Sequence, residues 1–102
     1  MTHQVTVHET LCNLVVAGTF VDADGPVAWK LVTADDGSPY GRPNINVPGQ
    51  KLEPGETIIK DYAEGAGMLA VLVDAGIVED TGRTAGMGMP IVRILHDDLK
   101  GN

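Results

Sequence analysis

Glycine, proline and aspartate break this chain at short intervals, and that punctuation limits its folds more than any other feature. Turn chemistry recurs at "DADGP" (residues 22–26), "ADDGSPYGRP" (34–43), "PGQKLEPGE" (48–56) and "DTGR" (80–83). Asp bonds the backbone locally, Gly accepts positive φ, and Pro fixes φ while removing a donor. The segments between these turns are too short for a helical bundle. Most alternate apolar and polar residues, as half-buried strands do.

The alternation is clear in "QVTVH" (4–8), and "LCNLVVAGTFV" (11–21) is rich in residues that suit a pleated surface. Gly18 inside that run marks a bulge or bend. In "VAWKLVT" (27–33), Val27, Trp29, Leu31 and Thr33 share one face. "NINV" (44–47) lies between Pro43 and Pro48, which predicts a short edge strand. "TIIK" (57–60), "IVED" (77–80) and "MPIVRIL" (89–95) complete the extended pieces.

One stretch departs from this pattern. Tyr62, Ala66, Leu69, Leu72 and Val73 recur at helical spacing and predict a helix over 62–75. "MLAVLV" (68–73) also reads as a buried strand, but Met, Leu and Ala are strong helix formers and the pattern is long. Asp61 is placed to cap the first N–H groups. Gly76 suits the left-handed residue of a Schellman stop, with Ile77 packing back on Leu72. Gly65 and Gly67 weaken the first turn by about 1 kcal/mol each. The expected fold is α+β: an antiparallel sheet of about five or six strands with one helix on a face. Residues 1–102 read as a single domain, with "HDDLKGN" (96–102) a mobile polar tail.

The formal net charge is −7, from 14 acidic and 7 basic side chains. Nucleic-acid binding needs Lys and Arg to neutralise phosphates, so this balance argues against it and against docking on anionic membranes. An acidic surface suits a basic site on another protein. Cys12 is the sole cysteine, so no internal disulfide forms. The longest apolar run, residues 68–73, falls well short of the ~20 residues that span a bilayer. With no visible signal peptide, the expected location is cytoplasmic.

The common chemistries find little support. His8 and Cys12 lie roughly 13 Å apart if both sit on one strand, whereas a thiol–imidazole pair needs about 3 Å. His3, His8 and His96 with Asp97 and Asp98 hold metal-ligating atoms. Consecutive side chains point apart, however, and the two ends of the sequence would have to meet. "DADG" (22–25) lacks the remaining ligands of a calcium loop. "GMGMP" (86–90) has a G-x-G but is followed by Pro90 and a strand, not by a helix N-terminus. No catalytic residue, cofactor or metal is therefore assigned.

The pattern Lys60-Asp61-Tyr62, Glu64, Gly67-Met68, Ala75-Gly76-Ile77, Thr81-Gly82-Arg83 and Pro90-Ile91-Val92-Arg93, with "GRPNINVPGQKLEPGE" upstream, resembles that of small bacterial accessory proteins carried on plasmids, phages and genomic islands. The similarity covers roughly residues 40–95. It implies an accessory gene of a mobile element and carries no catalytic role.

Charge and pattern together favour a non-enzymatic factor acting through protein–protein contact. Its sharpest form is an inhibitor of a nucleic-acid-binding host defence system, of anti-CRISPR or anti-restriction type. The contact residues would be Asp35, Asp36, Glu56, Lys60, Tyr62, Glu64, Arg83, Met87 and Met89. A second class is a small ligand-binding or enzymatic domain with a loop-formed pocket near Tyr40, Arg42 and Arg83. A third is a self-associating module, a homodimer paired through strand 44–47 or through the Met segment.

Overall fold

A computed structural model describes residues 3–19, 27–45, 47, 49–61 and 66–100. These form strands β1 (His3–Val7), β2 (Thr10–Thr19), β3 (Val27–Thr33), β4 (Pro39–Gly41), β5 (Asn44–Ile45) and β6 (Glu56–Ile59). Helix α1 (Met68–Asp74) and strands β7 (Val78–Thr84) and β8 (Pro90–Ile94) follow. The class is α+β, and every strand pairing is antiparallel. The strands divide into two four-stranded sheets, ordered β1-β2-β3-β4 and β5-β6-β8-β7, where one sheet of five or six was expected.

The division follows from how β3 ends its pairing. Its ladder with β4 covers only Leu31 and Val32. Across the first half of β3, a side chain from β5 takes the place of a neighbouring strand. Asn44, 1% exposed, accepts the Trp29 backbone N–H at 2.9 Å and donates to the Val27 carbonyl at 2.7 Å. Its amide also donates to the Thr57 hydroxyl on β6 at 3.0 Å. β5 is an edge strand of its sheet, as expected, and its Asn44 side chain links it to β3.

In β1 the alternation behaves as read. His3, Val5 and Val7 are buried while Gln4 and Thr6 are exposed. The register of β2 on β3 shifts between Val16 and Gly18, where Gly18 takes φ 126°, so the bulge falls at the expected glycine. Strand β6 is buried throughout, as a central strand between β5 and β8 must be.

The helix is shorter than its periodicity suggests. It begins at Met68, because Gly67 sits at φ 87° and ends any helical path before it. Residues 62–65 of the expected helix lie outside the described residues. Asp61 still caps it, from further away: its Oδ1 accepts the Leu69 N–H at 3.0 Å. The C-terminal stop is a Schellman motif, with Ile77 N–H on the Leu72 carbonyl and Gly76 N–H on that of Val73, both at 3.0 Å. α1 packs against β1 and β7, the edge strands that the two sheets present to it.

The polar tail is corrected. Residues Asp97–Leu99 form a 3-10 turn that folds back on the sheets, Leu99 is buried, and its carbonyl accepts the indole N–H of Trp29 at 2.8 Å. One apolar side chain among polar neighbours was enough to anchor it. The core has two parts: a main cluster around Trp29, Leu31, Ile59 and Leu72, and a smaller one of Ile58, Ala85, Met89 and Ile91.

The Asn44 bridge yields a first prediction. Asn44→Ala strands a buried N–H and a buried carbonyl of β3 and should cost about 2–4 kcal/mol, since each orphaned group costs about 1–3 kcal/mol. Thr57→Val removes one acceptor and should cost about 1 kcal/mol. Urea denaturation of both variants measures the difference. Equal, small losses would mean that water replaces the bridge.

Candidate ligand-binding cleft

A cleft of 270 Å³ opens beside the tip of the β1–β2 hairpin, lined by His8, Leu31, Tyr40, Gly41, Arg42, Lys60 and Met68. Five parts of the fold build it: the β1–β2 turn, β3, β4, the end of β6 and α1. His8 and Glu9 form the two-residue turn between β1 and β2, both with left-handed backbone (φ 48° and 69°). Such a pair makes the mirror-image turn that matches strand twist, usually with Asn and Gly. Holding two residues with Cβ atoms in this region costs about 1–2 kcal/mol each. Strain of this kind is commonest at functional sites.

Tyr40 on β4 donates its hydroxyl to the Val7 carbonyl at 3.1 Å, which ties β4 to the end of β1. Arg42 follows β4 directly. Lys60 follows β6 and is positioned by its backbone N–H on the Pro43 carbonyl at 2.9 Å. Leu31 and Met68, both buried, supply apolar wall. The recess thus combines aliphatic and aromatic surface with a guanidinium, an ammonium and an imidazole.

A second, larger depression of 620 Å³ is lined by Glu9, Thr10, Leu11, Thr33, Ala34, Asp35, Asp36 and Ser38. The hairpin turn therefore contributes its histidine to one recess and its glutamate to the other. Asp36 is committed to its own turn. Its carboxylate accepts the Thr33 hydroxyl at 2.7 Å and the Ser38 N–H at 2.9 Å. Hydrogen bonds from Ser38 foremost, then Thr33, hold its pKa down at about 2.

The other residues read as contacts differ in their surroundings. Glu56 is buried and forms an ion pair with Arg83 across the second sheet. Burial pushes the Glu56 carboxyl up. Hydrogen bonds from Arg83 and the Glu53 N–H, with the charges of Arg83 and Arg93, outweigh it and leave the pKa lowered. Arg83 is therefore spent on Glu56 and does not join Tyr40 and Arg42. Met89 is buried in the smaller core cluster, whereas Met87 is 96% exposed at φ 64° in the turn Gly86–Gly88. Tyr62 and Glu64 lie outside the described residues.

The His8–Cys12 pair is separated as expected, by a different route. Cys12 faces the core opposite Val5, fully buried, and burial pushes its thiol pKa up. The ends of the sequence, by contrast, do meet. His3 Nε2 lies 2.8 Å from Asp98 Oδ2, and the His3 and His96 rings approach to 4.6 Å between centroids. One ligand atom from each of His3, His96 and Asp98 falls within 4.8 Å of the others.

Of Tyr40, Arg42 and Arg83, which were expected around a loop-formed pocket, the first two line the cleft and Arg83 does not; His8 was not expected there. The available signal was two alternating runs separated by two residues, a hairpin spacing. His-Glu is not a turn dipeptide, which hid it. Comparison with protein-family models, curated proteins and solved structures finds no match. No helix among the described residues is long and apolar enough to cross a membrane.

The Glu56–Arg83 pair gives a second prediction. A lowered folded pKa adds stability that is present above the ordinary Glu value and is lost as pH falls through the folded one. Arg83→Met removes the partner of a buried carboxylate and should cost about 1–3 kcal/mol at pH 7. Protonation relieves the variant, so its deficit should shrink as pH drops below about 4.3. Urea midpoints for both proteins from pH 7 to 3.5 test this. A deficit independent of pH would rule out the charge pair as its cause.

Proposed function

We propose that this protein is a small non-enzymatic binding module whose cleft takes a small anionic ligand carrying a carboxylate or phosphate group. The observation that carries this reading is the convergence of His8, Tyr40, Arg42 and Lys60 on one concavity, in a chain with only 7 Lys and Arg among 102 residues. Arg42 offers a planar fork of donors that matches an oxyanion, and Lys60 adds a point charge. Leu31, Met68 and the Tyr40 ring suit a short apolar body. The volume is at the small end for ligand pockets, which favours a compact ligand.

Isotope-edited NMR titration with inorganic phosphate and with citrate tests the proposal. At least one probe should saturate shifts at His8, Tyr40 and Arg42, and Arg42→Gln should weaken it about tenfold, equivalent to about 1.4 kcal/mol. Failure of both probes, or unchanged affinity in Arg42→Gln, would sink the reading.

A second reading rests on the larger depression, where Glu9, Asp35 and Asp36 come together. It is the acidic contact factor for a basic, nucleic-acid-binding effector, with Met87 as a further exposed contact. A cytosolic accessory role on a mobile element belongs to either reading, supported by the 58–83 pattern and the lone cysteine. Here Asp35→Lys with Glu9→Lys should abolish salt-sensitive binding to the effector while phosphate or citrate titration of the cleft is unchanged. Effector binding that survives charge reversal counts against it.

A further inference from the structure

We propose that His3, His96 and Asp98 form a binding site for a divalent transition-metal ion of the zinc class, which clips β1 to the C-terminal turn. This site is separate from the cleft, at the opposite end of β1 from His8. Its three side chains come from positions far apart in sequence, and their ligand atoms lie within 4.8 Å of one another. Donors around a tetrahedral zinc ion sit about 2.0–2.2 Å from it, which places any two of them about 3.4 Å apart. Asp98 is exposed and His96 half-buried, so small rotations of these two close the remaining distance.

The surroundings prepare each ligand. His3 is 7% exposed and is held in place by the strand that begins with it. His96 Nε2 donates to the Gly76 carbonyl at 3.0 Å, which leaves Nδ1 as the lone pair of that ring. A backbone carbonyl bonded to the far nitrogen of a ligand histidine is the usual outer support of metal sites. Asp98 Oδ2 already stands 2.8 Å from His3 Nε2, so the carboxylate and the first imidazole face one another before any ion enters. Two imidazoles and one carboxylate suit zinc, copper, nickel or cobalt, whereas magnesium and calcium prefer all-oxygen shells. Three protein ligands leave a coordination position for water.

The site lies between the beginning of β1 and residues 96–98, and Leu99 in the same turn accepts the Trp29 indole N–H. An ion here therefore tightens the contact that closes the core at that end. Binding to the folded state alone raises the thermal midpoint by mass action.

The test uses the full, untagged chain. Calorimetric titration with zinc chloride should give one saturable site per chain. Melting with excess zinc should exceed that in EDTA by about 5 °C or more, whereas magnesium should leave it unchanged. Asp98→Asn and His96→Gln change partly exposed ligands and should each weaken zinc at least tenfold, with melting in EDTA reporting that they fold. Asp97→Asn, on an exposed neighbour paired with Lys100, should bind as the parent does. Absence of a saturable site, or full affinity in both ligand variants, would overturn the proposal.

Discussion

The structure depends on one buried amide. Asn44 satisfies two backbone groups of β3 that no strand among the described residues reaches, and is itself held by Thr57. A sheet that loses a neighbour inside a protein must find partners for its N–H and C=O groups, or lose about 1–3 kcal/mol at each. Here a side chain supplies them, so β4 can end after three residues and β5 can begin a second sheet. An apolar residue at position 44 would give the same burial without the connection.

Closure on the other side uses different physics. β1 and β7 each end a sheet, and α1 covers both with Met68 and Leu72, which are buried. A helix of seven residues has little stability of its own. Asp61 accepts the Leu69 N–H and the Schellman stop satisfies the Leu72 and Val73 carbonyls. Tertiary packing then does what propensity cannot, as Gly67 immediately before the first turn makes plain.

What the sequence disclosed, and what it hid, follows from the range of each interaction. Period-two alternation, the Gly18 bulge and the Gly76 stop are local, and each was legible. The split into two sheets was not, because it rests on Asn44 reaching β3, 15 and 17 residues away in sequence. The C-terminal turn was misread for a related reason. Leu99 looks incidental among polar neighbours until Trp29 is seen 70 residues away. For the candidate sites the pattern repeats: Tyr40 and Arg42 are close in sequence and were seen together. His8 and Lys60 reach the same cleft only through the fold, as His3 reaches Asp98 across 95 positions.

Net charge is the last quantity that the fold reinterprets. A total of −7 suggests an acidic face, yet many carboxylates have internal tasks. Glu56 and Glu79 pair with Arg83 and Arg93, Asp97 with Lys100, and Asp98 with His3. Asp61 caps α1, while Asp36 and Asp80 bond their own turns. The long-range field is still negative, while the proposed ligand cleft is lined by Arg42 and Lys60. Salt therefore acts on the two binding readings in opposite ways. An anion entering the cleft meets repulsion at long range and attraction at contact. Screening removes the first more readily than the second, because contacts in a partly enclosed recess are less exposed to counterions. Its association should quicken as salt rises to moderate levels. A basic effector approaching Glu9 and Asp35 has long-range attraction alone to lose, so its association should slow over the same range.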